Sequence, residues 1–544
     1  MYSGSVSALQ VVESCLVTPS NETPREGLWL SALDLVLANR GHTPLVHVYS
    51  ASDVAAANGF FNVAKLKKSM AKALVPFYPL AGRLGADRDG RNEIDCNGEG
   101  ALFVVARSDR TVEDFSGPTP SSELTKLFCP CVQPSSIMLA AQVTFLKCGG
   151  VVLVTAVHHA AVDGASAFHF IGAWARYCRD GERAVIELPC HDRALLRPRS
   201  PPAIHPETVS MFCSKLTMHE QDSSVLATKV FTISGDQLYA LKRHCGGAST
   251  FCAVSALVWQ CLCIARQLDP DATTRMNFPV DIRRRLEPRL PGRYFGNGVV
   301  NVFASAAVKD VVSGTLASVA SRVKATTEQL DDELLRSAID YFEMEAAKGG
   351  RPENRGNLPE TELRMNSWFH LPIYDANFGW GKPRVMTRAE TVRGGWVYVM
   401  AGCGDGSARV LISLEAATLK KFERALAEDE AAGMKRKLAK TAFKSPYDYD
   451  YDDDDVYEYN SGDDVEDDNK ESFIETEPQK IREKGKAVYF KRGKFTFPYC
   501  TTKSKPKYGL YEHIMSHARG LSTSADDIKI GAEHAALLKA LGPI

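Results

Sequence analysis

The chain has 544 residues, 44% of them hydrophobic and 24% charged, with a formal net charge of −1. That composition excludes a collagen-like or wholly disordered chain, and the charge gives no global attraction to nucleic acid. Fourteen scattered cysteines point to free thiols in a reducing, cytoplasmic setting rather than a disulfide framework.

The start, MYSGSVSALQVVES, has no basic region followed by an apolar one, so a secretory signal is not expected. In chain order, Phe60–Leu74 reads as a helix. Val63, Leu66, Met70 and Leu74 recur at three and four, lysines fill the other face, and Pro76 ends it. Ile137–Leu146 and Val151–Val157 read as paired strands around Lys147-Cys148-Gly149-Gly150, too interrupted to span a membrane. Ser166–Tyr177 follows as a helix. Cys190–Pro206, rich in Pro, Arg and His and without periodicity, reads as a long surface connection. Beyond it come a strand at Lys229–Ile233 and helices at Gln237–His244, Phe251–Ala265, Thr315–Asp331 and Leu335–Lys348. An antiparallel pair at Val397–Met400 and Ala408–Leu414 and a closing helix at Ala417–Ala427 complete the pattern. The mixture implies an α/β or α+β protein with two lobes.

Charge then segregates. Pro446–Pro478 holds fifteen acidic residues against Lys470, and Gln479–Leu510 holds ten basic residues against one glutamate. Like charge at that density, with little to bury, predicts a disordered acidic linker over 431–478 before a small unit at 479–544.

The sharpest chemical feature is His158-His159-Ala160-Ala161-Val162-Asp163-Gly164. An apolar strand delivers two histidines to its end, and a small turn follows. Histidine suits a general base near neutral pH; the other reading is a satisfied core histidine. Two adjacent histidines rarely reach one metal, and no Cys or Glu nearby completes a set. A second feature, Leu371–Pro383, places Asn377, Phe378, Gly379, Trp380 and Gly381 in a tight loop.

With its HHxxxDG run and the later NFGWGKP run, the chain resembles the BAHD acyltransferases of plants. Leu74–Leu84, Val280–Arg285 and Tyr294-Phe295-Gly296-Asn297 agree, so the resemblance covers about residues 8–430. It points to the hydroxycinnamoyl-CoA transferases of grasses. The resemblance implies an α/β fold of two chloramphenicol-acetyltransferase-like lobes, 1–189 and 207–430, joined by a crossover at 190–206 with a channel between them. It implies a monomer without membrane attachment or cofactor, acyl-CoA being a substrate. His159 would be the general base, Asp163 would shape the loop by pairing with Arg283, Gly164 would follow it, and Trp368 would line the acceptor side near the developing oxyanion. The loop at Asn377–Gly381 would support the channel.

Asn377 stands where the family has aspartate, which predicts an arginine left without its counter-charge and a loss of stability. Asn366 stands where shikimate acylators have threonine, and Arg355 is only loosely placed for a carboxylate-binding role. These departures favour an amine acceptor of the putrescine or agmatine type. The alternatives are a shikimate- or quinate-type hydroxyl acceptor, or an impaired chimeric relative. The C-terminal unit resembles the zinc finger that accompanies XS domains. The resemblance implies Cys500, His517 and His534 as ligands, with Phe497 replacing a cysteine and His513 as a substitute. Three ligands in place of four imply a degenerate site, and nucleic-acid binding is expected only through this segment.

Overall fold

A computed structural model of the chain describes residues 9–51, 59–115, 120–212, 226–348, 358–389, 393–404, 406–427, 470–484, 490–491, 494–495 and 528–541. The chain divides into two compact units, Met1–Met434 and Lys435–Ile544.

The first unit is built on two six-stranded mixed sheets. One runs in the order Gln10–Val17, Ala101–Ser108, Leu139–Leu146, Val151–His158, His42–Tyr49, Val385–Arg388. The other runs Val299–Ala307, Thr273–Asp281, Glu362–Trp368, Trp396–Ala401, Ala408–Glu415, Leu226–Ile233. Every residue of Val151–His158 is buried, which explains its unbroken apolar run: both faces of that strand are covered. The helix Gly164–Asp180 lies directly after it and buries Phe168, Phe170, Ile171 and Trp174. In the other half, the helix Thr250–Arg266 buries thirteen of its seventeen residues, as its nearly continuous apolar sequence requires.

Most elements sit within a few residues of their predicted bounds. Three expectations fail. The division at 190–206 does not separate the sheets, because Val385–Arg388 returns to the first one and pairs antiparallel with Leu45–Val48. The connection itself is not wholly superficial: Arg193 and Leu196 are buried in a short 3-10 turn. Residues 470–478 are not structureless, because Lys470–Lys484 is a helix with Pro478 inside it. Phe473, Glu477 and Ile481, four apart, share its buried side, an apolar spacing that the acidic total hid.

In the second unit this helix meets Ile528–Leu541, where Phe473 packs with Ala532 and Ala536. Arg482 donates to the carbonyls of Lys539 and Ala540 at that helix's end. His534 is buried in this pair. Cys500 and His517, expected as its co-ligands, lie outside the described residues, as do Phe497, His513 and Arg355.

His47 and His158 are buried in the first sheet, and burial pushes both down to about 4. They stay neutral in the fold, while the unfolded chain takes up protons below about 6.5. Stability present above that value is therefore lost as the pH falls. Each histidine is expected to cost about 1 kcal/mol between about pH 7.5 and 5.5. Denaturant melts of the wild type and of His47→Asn across that range check the difference in slope.

Candidate active site

The strand Val151–His158 pairs with His42–Tyr49 so that His42 opposes His158. The two rings meet edge to face at 5.0 Å, and His158 Nδ1 accepts the Ala160 N–H at 3.2 Å. His158 is thus the satisfied core histidine. His159 differs. Its backbone N–H is fixed on the Gly41 carbonyl at 2.8 Å, and its ring lines a cavity of about 230 Å³ between the two sheets. Nδ1 is buried and has no hydrogen-bond partner among the described residues. Burial, with Arg40 and Arg388 adding positive charge, pushes the ring down to about 3 against the opposing pull of Asp163. A neutral imidazole facing a cavity is a proton acceptor at neutral pH.

Both oxygens of the Asp163 carboxylate are engaged. The carboxylate caps the helix Gly164–Asp180, Oδ1 accepting the Ser166 N–H at 3.0 Å. Oδ2 accepts the Gly298 N–H at 2.9 Å and the Arg283 Nη2–H at 2.8 Å. Arg283 in turn donates to Ser166 Oγ and to the carbonyls of Tyr294 and Gly296. This buried cluster ties the turn after His159 to the second sheet's 294–298 segment. The structure brings Asp163 and Arg283 together at the end of a helix, where a carboxylate also meets the positive end of the helix dipole.

Trp368 ends its strand at the cavity wall. Its ring stands 5.2 Å from Tyr398 and 6.1 Å from Phe168, both edge to face, with the Arg388 guanidinium 5.6 Å from its centre. Gly164 is the residue opposite. A Cβ there would stand 3.0 Å from Leu371 Cδ1, tight enough to make that side chain give way, and 3.9 Å from Trp368 Nε1, an ordinary contact. His159 and Trp368 thus line one cavity whose wall draws residues from both sheets.

A protein-family model described as Transferase family matches residues 7–429. The chain belongs to the Transferase family. It is an acyltransferase of the BAHD type. Among relatives, it is 42% identical over 450 residues to putrescine hydroxycinnamoyltransferase 1 of Oryza sativa subsp. japonica, covering 78% of this chain and 99% of that one. It is 36% identical over 438 residues to shikimate O-hydroxycinnamoyltransferase of Nicotiana tabacum, covering 77% and 99%. Among solved structures, vinorine synthase is similar with a TM-score of 0.59 at 22% identity, covering 76% of this chain and 96% of that one. TRI101 of F. graminearum, complexed with coenzyme A and deoxynivalenol, has a TM-score of 0.61 at 18% identity, covering 73% and 96%. At these identities the two structures attest the fold of the Transferase family members.

In this Transferase family member the segment that carries His159 is held by a network that sequence reasoning missed. Asp34 and Arg193, almost without exposure, pair at 2.7 Å. Arg193 also donates to the carbonyls of Ala160 and Ala161. Asp34 Oδ1 accepts from the Asn297 backbone and side chain, and Asn297 Nδ2 donates to the His159 carbonyl at 2.9 Å. Asn297 lies in the Tyr294–Asn297 run that supports the family resemblance, which assigns it no role, and Arg193 lies in a stretch that reads as surface.

The late loop lies away from the cavity. Asn377 Oδ1 accepts the N–H groups of Gly379 and Gly381 at 2.9 and 3.2 Å, and both glycines have φ above +100°, which a side chain would strain. Phe378 stands edge to face 4.9 Å from Trp174, and Trp380 lies 5.0 Å from Phe61. Asn377 makes these hydrogen bonds within its own loop. Asp375, two residues before it, pairs with Lys382 at the surface.

Replacing Arg193 by Met is expected to cost about 3–5 kcal/mol, because it leaves Asp34 buried without its cation; chemical denaturation reads this. Asn377→Asp retains both loop acceptor bonds and is expected to change stability by less than about 1 kcal/mol and kcat/KM by less than about threefold. Melting curves and steady-state rates check both numbers.

Proposed function

We propose that the protein transfers a hydroxycinnamoyl group from its CoA thioester to an amine or hydroxyl acceptor, with His159 as general base. The amines include the putrescine and agmatine types, and the hydroxyl acceptors the shikimate and quinate types. The observation that carries this reading is the neutral His159 ring lining a cavity between two sheets, on a backbone tied from three sides. Support for the acyl group comes from the hydroxycinnamoyltransferases to which the chain is similar.

The acceptor's O–H or N–H gives its proton to the imidazole as its lone pair attacks the thioester carbonyl. The carbonyl oxygen takes the negative charge, and the Trp368 indole N–H is the nearby donor to steady it. Collapse expels the CoA sulfur, which takes the proton back from the imidazolium. Acyl group and proton are both accounted for, and no acyl-enzyme forms. Holding the two substrates together supplies much of the rate. Asp163 and Arg283 act by fixing the turn. A degenerate finger in the C-terminal unit is a separate proposal, tested by zinc content.

The test is incubation of the full chain with p-coumaroyl-CoA and, in turn, putrescine, agmatine, tryptamine and shikimate, with products weighed by mass spectrometry. An acylated product is expected, and His159→Ala should lower kcat about 10²–10⁴-fold. Product formation at the same rate in His159→Ala refutes the assignment of the base, and no CoA release above that variant refutes the activity.

A further inference from the structure

The helix Asp332–Ala347 lines the cavity with Phe342, and the helix Ala32–Ala38 packed beside it does so with Leu33, Val36 and Leu37. Val36 is 54% exposed, so the cavity reaches solvent at this pair of helices. All four side chains are apolar and offer a phosphate no donor. This side therefore suits an acceptor rather than the phosphate-bearing tail of CoA.

The spacing of the two helices is held from outside the cavity. Glu333, Ser337, Asp340 and Glu343 follow one another at four, three and three, so they share a face of their helix. The crossover grips the first three. Arg199 donates from its backbone and Nε to Asp340, at 2.7 and 2.8 Å, and from Nη1 to Glu333. The His205 N–H bonds Ser337 Oγ at 2.6 Å. Glu343, in the last turn, is held from a different place. Arg91 donates to both of its oxygens, the Nη2 bond being 3.0 Å. The same Nη2 donates to the Leu30 carbonyl at 2.8 Å, one residue before Ser31, which caps Ala32–Ala38. The Arg91 guanidinium also lies 4.8 Å from the centre of the Trp29 ring, which Arg197 approaches at 5.0 Å. Its backbone N–H is fixed on Asp87 Oδ1 at 2.9 Å.

One guanidinium thus spans the start of one helix and the end of the other, and Phe342 adjoins the carboxylate it grips. A bidentate pair of this kind is directional, and neither side chain is more than a quarter exposed. With Ala32–Ala38 anchored by Asp34 and Arg193, loss of the grip acts on the last turn of Asp332–Ala347.

We propose that Arg91 is a positioning residue for acceptor choice: by gripping Glu343 it fixes Phe342 and sets the width of acceptor admitted beside Ala32–Ala38. This rests on the transferase reading and adds a size limit to it. Neither Arg91 nor Glu343 is among the described residues that line the cavity, so the pair acts on the acceptor through Phe342.

The test compares wide and narrow acceptors with the same nucleophile. Tryptamine and propylamine, and the alcohols tryptophol and propanol, are assayed with p-coumaroyl-CoA and the full chain. In Glu343→Gln and in Arg91→Met the wide-to-narrow ratio of kcat/KM is expected to rise about fivefold or more. The change should sit in the acceptor KM, not in the KM for the thioester. Arg91→Lys should restore part of the wild-type ratio. Phe342→Leu widens the cavity directly and should raise the ratio as well, with Glu343→Gln adding little on top. An ion pair that served stability alone would lower the rates with wide and narrow acceptors together. Unchanged ratios in both charge variants overturn the proposal, as does a full added effect of Glu343→Gln in the Phe342→Leu background. Should the charge variants fold poorly, an unchanged ratio in Phe342→Leu alone overturns it. Amide hydrogen exchange over residues 341–347 is expected to quicken in Glu343→Gln, and no change there counts against the grip whether or not an acceptor reacts. Product formed with unaltered selectivity leaves the transferase reading standing while this one falls. Absence of product in every arm removes the transferase reading, and calorimetric binding of the same acceptors beside CoA then decides the ratio.

Discussion

The carboxylate of Asp34 takes donors from three separate parts of the chain: the Ser31 backbone and hydroxyl at its own helix start, Arg193 in the crossover, and Asn297 beside the second sheet. Arg193 and Asn297 then pass that connection on to the carbonyls of residues 159, 160 and 161. The turn bearing the His159 imidazole is thus held by its backbone, not by its ring. A base must keep its ring nitrogens for the substrate, so whatever fixes it has to grip elsewhere. The buried ion pair is expensive to desolvate, but every oxygen of Asp34 is matched, and the result is a rigid seat.

A second carboxylate repeats the device on the other side of the same turn. Asp163 caps the following helix and binds Arg283 and the Gly298 amide. Two aspartates, each with its own arginine, bracket the turn that carries His159. Negative charge near the base is absorbed by structure. Arg40, Arg364 and Arg388 line the same cavity as these two aspartates' turn.

Much of this was legible in the residues. The run Val151–Val157 reads as buried strand because nothing polar interrupts it, and the histidine–aspartate spacing marks the turn after it. Asp163 and Arg283 were paired through resemblance and lie in contact. Elements set by distant partners were not legible. Val385–Arg388 is four residues long and gains its strand character from His42–Tyr49, to which no local pattern points. Arg193 sits among prolines and other arginines, so composition suggests solvent. Arg364 and Arg388 look like ordinary surface cations until the sheets are placed face to face. The helix Lys470–Lys484 was lost in the acidic average, although Phe473 and Ile481 carry its apolar side.

The chain passes from the second sheet to the first between Trp368 and Val385, and ends that passage as the outermost strand beside His42–Tyr49. Neither half is consequently self-sufficient. A fragment ending at the crossover would expose the row of backbone amides and carbonyls along His42–Tyr49, whose side chains are largely buried, and a bare apolar edge of that kind invites pairing with other chains. Expressed alone, the amino-terminal portion should aggregate; co-expressed with the remainder, it has the missing strand returned to it, so split reporters or domain-swapped chimeras need their junctions placed outside this embrace.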